Sequence, residues 1–211
     1  MKIQKFLHSC LRIEETGERM VIDPGGWSSP ATEIGAVDLI VITHEHQDHY
    51  NLEKIKEFLA LRPATIISNS GVAKLLAAEN IPCTIVEGGA AVTIGDFTIL
   101  GVTAPHGNLP VPTPINVAYL INKVLLVTGD SFAFDLPEGA QILTLPVAAP
   151  WGTVTEAVNK ALALKPKHAI PVHEAVLNPV FAPRIVQMAG NVLSSAGISY
   201  HALAPGETFE I

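Results

Sequence analysis

Hydrophobic and polar positions along the chain change period several times, and those changes divide it into elements. Residues 3–7 and 10–13 are apolar-rich runs that predict a hairpin; residues 20–22 form a third run, closed by Asp23-Pro24-Gly25-Gly26. Residues 38–43, Asp-Leu-Ile-Val-Ile-Thr, predict a buried strand. The period then shifts. Leu52, Ile55, Phe58 and Leu59 fall on one helical face, with Asn51 placed to cap that helix and Glu53 in its first turn. Residues 44–50 are therefore a loop between strand and helix.

A second strand and helix follow, with residues 64–67 as strand and Ser70 capping a helix that fades near Asn80. The middle of the chain is all strand: 84–86, 91–94, 97–102, 117–121 and 124–128, separated by Gly-Gly, Gly-Asp and Asn-Lys, residues suited to tight turns. Residues 142–145 predict a strand, Thr153 and Glu156 a capping box for a helix ending before Pro166, and residues 168–172 another strand. A last helix over 183–196, stopped by Gly197, precedes a C-terminal strand pair. This order predicts an α/β protein in which two mixed sheets pack face to face with helices outside, a four-layer αββα sandwich. Pro105, Pro110, Pro112 and Pro114 mark one conspicuous loop, either a stiff connection or a wall of a substrate pocket.

Composition narrows the function classes. A length of 211 residues without a compositional break predicts a single domain over 1–211. Hydrophobic residues make up 48% and charged residues 16%, as expected when much of the chain is strand buried on both faces. No apolar run reaches the roughly 18 residues of a membrane span, and the first residues hold no apolar signal core before Glu14 and Glu15, so a cytoplasmic location is expected. Cys10 and Cys83 require no disulfide framework. A net charge of -7, with arginine only at Arg12, Arg19, Arg62 and Arg184, argues against a nucleic-acid partner. The expected partner is a small-molecule substrate, and a homo-oligomer is compatible with the sequence.

The chemistry is concentrated in Thr43-His-Glu-His-Gln-Asp-His49, where four potential ligands fall within six residues after a buried strand. A loop leaving a strand end can turn alternate side chains toward one point, and imidazole nitrogen with carboxylate oxygen is the set favoured by zinc and similar ions. A lone histidine there would be an ordinary polar loop residue. Three with an interleaved aspartate are not.

The stretch resembles the His-x-His-x-Asp-His signature of the metallo-β-lactamase superfamily, with Glu45 and Gln47 as the variable positions. Further elements of that family's pattern follow in order: Asp23 in Ile22-Asp-Pro-Gly25, His106 in Ala104-Pro-His-Gly107, Asp130 in Thr128-Gly-Asp-Ser131, and His173 in Ile170-Pro-Val-His173. The resemblance implies that His44, His46 and His106 bind one metal, that Asp48, His49 and His173 bind a second, and that Asp130 bridges. It implies for Asp23 an orienting carboxylate behind a ligand, a reading favoured over an ordinary Asp-Pro-Gly turn. His8 follows the first strand, as a similar early histidine does in lactonase- and phosphodiesterase-like members, but no role is assigned to it. His168 and His201 match nothing and are read as structural.

The resemblance further implies a dinuclear metal-dependent hydrolase, with two divalent ions, zinc before manganese or iron, holding a bridging hydroxide that Asp48 assists. An ester-like bond of a small molecule, a lactone or phosphodiester, is the expected target. The alternatives are a metal-binding protein without catalysis, a diiron oxidoreductase and a nuclease. The oxidoreductase branch carries Glu where His46 stands, and the nucleases need an extra clamping domain. Gly-x-Ser-x-Gly and phosphate-loop motifs are absent, so no serine nucleophile competes for the role.

Overall fold

The computed structural model describes residues 1–211. The chain opens with β1 (Lys2–Lys5), β2 (Leu11–Glu15) and β3 (Glu18–Ile22), an antiparallel meander. A short helix α1 (Ala31–Ile34), which the periodicity does not announce, leads to β4 (Leu39–Val41). Then α2 (Leu52–Leu61), β5 (Thr65–Ser68), α3 (Ser70–Ala78) and β6 (Thr84–Ile85) extend the sheet in parallel. The second sheet starts with antiparallel β7 (Ala91–Ile94), β8 (Phe97–Thr103), β9 (Val117–Ile121) and β10 (Leu125–Val127). It continues in parallel through β11 (Ile142–Pro146), α4 (Val154–Leu164), β12 (His168–Val172), α5 (Ala182–Ser195) and β13 (Ser199–Tyr200), before β14 (Thr208–Glu210) ends the chain.

The two seven-stranded sheets run in the orders β14-β1-β2-β3-β4-β5-β6 and β13-β12-β11-β10-β9-β8-β7. The C-terminal strands are not the pair the sequence predicts. β13 joins β12 at one sheet's edge, while β14 joins β1 at the edge of the other. Nothing in an alternating run of two or three residues states which edge it will complete.

Strand periodicity sorts side chains into three cores. Leu39 and Val41 of β4 face the interior between the sheets, while Ile40 packs under the helices α1, α2 and α3. On β9, Val117, Tyr119 and Ile121 join the same interior, and Ala118 and Leu120 face α4 and α5. Each central strand is thus covered on both sides, which is why its sequence is unbroken apolar. Four layers, helix on sheet on sheet on helix, result.

Helix starts follow local chemistry. Asn51 accepts from the Lys54 amide, and Thr153 with Glu156 forms the reciprocal capping box. At α3 the cap is Asn69, which accepts from the Val72 amide, and Ser70 is the first helical residue instead. The Asn69 amide group also donates to the carbonyls of Thr43 and Ile115, a tertiary duty that a serine hydroxyl one position later could not fill. No helix is long and apolar enough to cross a membrane.

Candidate metal centre

In the first sheet β1, β3 and β4 run the same way, because antiparallel β2 separates β1 from β3. In the second, β8 and β10 share a direction across antiparallel β9, and β12 follows β10 through parallel β11. His8, Asp23, the 44–49 loop, His106, Asp130 and His173 each follow the C-terminal end of one of these strands. Strand polarity therefore delivers all of them to one edge of the sandwich. A Cβ on Gly25 would lie 1.9 Å from the Asp48 carbonyl oxygen, so only glycine lets the turn after Asp23 pack under the 44–49 loop.

The side chains assemble into two groups, His44, His46, His106 and Asp130, and His8, Asp48, His49 and His173, within each of which the ligand atoms lie within 4.8 Å of one another. Asp130 stands between them. Its Oδ1 lies 3.0 Å from His49 Nε2 and 3.3 Å from His173 Nε2; its Oδ2 lies 3.5 Å from His106 Nε2 and 3.9 Å from His44 Nε2. Asp48 Oδ2 is similarly shared, 3.0 Å from His8 Nε2, 3.3 Å from His173 Nε2 and 3.8 Å from His49 Nε2. All seven residues read from the sequence as ligands are brought together. His8, left without a role, is brought in with them.

The ring orientations are set from behind. His49 Nδ1 donates to Asp23 Oδ2 at 2.8 Å, while Asp23 Oδ1 accepts from the Thr43 amide. His44 Nδ1 donates to Thr43 Oγ1, whose own proton goes to Asp23 Oδ2. His106 Nδ1 donates to the Gly107 carbonyl and His173 Nδ1 to that of Ala148, each at 2.7 Å. In every case the bond occupies Nδ1 and turns Nε2 inward, so Nε2 is the atom each ring offers as a lone pair once it is neutral. His46 is turned the other way, with Nδ1 3.2 Å from His106 Nε2. Asp23 therefore occupies the position of an orienting carboxylate.

These inward atoms lack partners. The Nε2 atoms of His44, His49 and His173 and the Oδ1 of Asp130 are buried with no hydrogen bond. Each such atom costs about 1–3 kcal/mol when unsatisfied. Imidazole nitrogens and a carboxylate converging on one centre are the donor set that a divalent ion satisfies, so the residues fit the metals the resemblance implies.

Charge divides the two groups. Burial pushes the His44 and His46 imidazoles below their ordinary range. Burial also opposes charge on His49, but the Asp130 and Asp23 carboxylates outweigh it and hold that ring well above the ordinary range. His173 is raised to about 9, its burial outweighed by Asp130 and Asp48. Asp48 is pushed up by burial and down further by the nearby His173 and by its hydrogen bond with His8, so it stays ionised. His8, enclosed under the edge of the Trp27 ring, is lowered by burial to about 4.

A family model described as the β-lactamase superfamily domain matches residues 2–173, which include every residue of both groups. The chain belongs to the metallo-β-lactamase superfamily. Among relatives of this superfamily member, Protein Rv0786c of Mycobacterium tuberculosis is 30% identical over 205 residues, covering 89% of this chain and 92% of the relative. A UPF0173 metal-dependent hydrolase of Carboxydothermus hydrogenoformans is 28% identical, with 98% of each chain covered. Igni18, a metallo hydrolase from the archaeon Ignicoccus hospitalis, superposes with a TM-score of 0.78 at 20% identity, covering 100% of this chain and 98% of that one. The last likeness carries the fold.

Two residues near the centre have no role assigned from the sequence: His8, noted there only as an early histidine after the first strand, and Trp151. His8 has the same strand-end placement as the other ligands, and that placement was the available signal. Trp151, in the 147–153 loop after β11, donates from its indole Nε1 to Asp130 Oδ2 at 2.7 Å, and nothing local in the sequence announces it. The proline-rich loop has a divided position: Pro105 lines a cavity beside His106, whereas Val111 and Ile115 are exposed.

Proposed function

We propose that this superfamily member is a dinuclear metal-dependent hydrolase acting on an ester-like bond, lactone or phosphodiester, of a small molecule. The observation that carries the reading is the Asp130 carboxylate, with one oxygen turned to each group of unpartnered imidazole nitrogens. The relatives described as metal-dependent hydrolases support the reaction class.

In this reading His44, His46 and His106 would hold one divalent ion, zinc before manganese or iron, Asp48, His49 and His173 would hold the other, and Asp130 would serve both. Such a pair supplies a hydroxide nucleophile near neutral pH, because coordination lowers the pKa of water from about 15.7 to about 7, and it neutralises charge developing on the substrate. The protein's own groups do the positioning. Asp48 has 15% of its side chain exposed, so it borders the solvent side of the centre and, ionised, accepts and aims the nucleophile's proton. His49 and His44 are held through Asp23 and Thr43, which prevents ring rotation as charge shifts. Arginine is scarce, and no lysine or arginine approaches the ligands closely enough to pair with Asp48 or Asp130, which favours a substrate of low charge.

Protein purified without chelator should carry close to two divalent ions per chain, measured by elemental analysis. Zinc- and manganese-loaded preparations should hydrolyse at least one member of a panel of lactones, phosphodiesters and thioesters, lose that activity to a chelator and regain it on reloading. Metal-free protein that binds no ion on titration would overturn the proposal.

A further inference from the structure

Asp130 Oδ2 has one hydrogen-bond donor, and that donor is Trp151. The indole reaches it from β11, a strand that contributes none of the ligands. The 149–152 turn is pinched by a backbone bridge between Ala149 and Gly152, which presents Trp151 inward at its tip. A Cβ on Gly107 would lie 2.2 Å from the indole Cε3, so the residue after His106 must be glycine for the ring to lie across that backbone and reach the carboxylate. The ring then stands 5.9 Å from His106 and 4.9 Å from Phe132, between centroids.

The indole borders a cavity of about 420 Å³, lined also by Pro105, His106, Gly107, Asn108, Phe132 and Ala133. It opens directly beside His106 and contains no Lys, Arg, Asp or Glu. A wall of indole and phenyl rings rewards burial of an apolar group, at about 25 cal/mol per Å². An anionic group would meet no cation there and would lose its hydration.

We propose that Trp151 has two duties at the centre assigned above. Its N–H positions the Asp130 oxygen facing His44 and His106, and its ring, with Phe132, walls a subsite for an uncharged, apolar part of the substrate. The inference rests on the dinuclear-hydrolase reading and narrows it toward a carboxylic ester or lactone with an aliphatic substituent. Trp151 is a positioning residue: it acts on the first ligand group through Asp130. A hydrogen bond to the Oδ2 side alone also makes the two halves of the carboxylate unequal, so its removal should weaken one site and spare the other.

The test reads metal and ligand binding, independent of turnover. Trp151→Phe keeps a ring and removes the donor; in competition with a chelator, the affinity for one of two zinc ions should fall by about ten- to a hundredfold, the range for losing such a support, while the other is unchanged. Gly107→Ala, which keeps the indole but pushes it off the backbone, should produce the same selective loss. Wild-type affinity for both ions in Trp151→Phe would overturn the positioning duty. For the subsite, hexanamide should quench Trp151 fluorescence in a Trp27→Phe background at least about tenfold more tightly than acetamide, as a few buried methylenes allow. That preference should collapse in Phe132→Ala. Equal binding of the two amides, or a preference untouched by Phe132→Ala, would overturn the subsite. If both arms succeed and no ester is hydrolysed, the hydrolase reading fails while the roles of Trp151 stand.

Discussion

The two ligand groups share Asp130 and a common histidine loop, yet they are held together by different forces. In the first group, burial keeps His44 and His46 from ionising, and their neighbours are chiefly other imidazoles. In the second, His49 and His173 are held toward the protonated state by Asp23, Asp48 and Asp130. The first is thus a set of neutral lone pairs waiting for a cation. The second is an ion-paired cluster in which protons occupy the cation's place. If the two groups hold ions as proposed, one fold supports adjacent sites by opposite electrostatic means, and they should respond differently to mutation and to pH.

The largest expected effect comes from removing a ligand unique to one group. His44→Ala should abolish hydrolysis and leave one ion per chain, with far-ultraviolet circular dichroism unchanged, because the side chain sits at a strand end and not in the sheet cores. His173→Ala should lose the other ion. If both variants lost both ions equally, the groups would not be separate sites.

Asp48→Asn is expected to come next, with turnover down by about a hundredfold or more while metal content is largely kept. Asparagine still offers a carbonyl oxygen as ligand but cannot take a proton. Both quantities must be measured in one preparation. Full activity with both ions bound would reduce Asp48 to a ligand, and the proton acceptor would have to be sought at His173.

Acidity should separate the groups more gently. His173, raised to about 9, carries a proton at pH 7 in the metal-free chain, and a metal entering the second group must displace it. His49, held well above its ordinary range, adds a second such proton, so the apparent affinity of that site rises with pH from 7 through 9. His44 and His46 are depressed, hold no proton in this window, and should give the first site a flat profile. Proton release during zinc titration, followed with a pH indicator, checks the sign: release should accompany the second group's ion.

The smallest effect tests the support behind a ligand. Asp23→Asn keeps an acceptor for the Thr43 amide but removes the charge behind His49, and the second ion should bind about tenfold more weakly. A loss confined to the first ion would invert the assignment of Asp23.

Much of this centre was legible in the linear chain because its decisive part is local. Four candidate ligands in residues 44–49 lie between a buried strand and a capped helix, and each later candidate sits just past an apolar run, so strand ends alone bring them toward one edge. The sandwich was legible for a related reason: strands covered on both sides must be unbroken apolar, and their helical partners carry recognisable caps. Other features depended on tertiary structure. His8 touches Asp48 across 40 positions of sequence, and Trp151 reaches Asp130 only because Gly107 leaves room for its ring. Asn69 displaced Ser70 as a cap because it also ties down Thr43 and Ile115, and β13 and β14 parted to different sheets. Periodicity states which residues seek burial and where a strand stops. Whether a ring lies 3 or 10 Å from a carboxylate is set by long-range packing, and no local propensity encodes it.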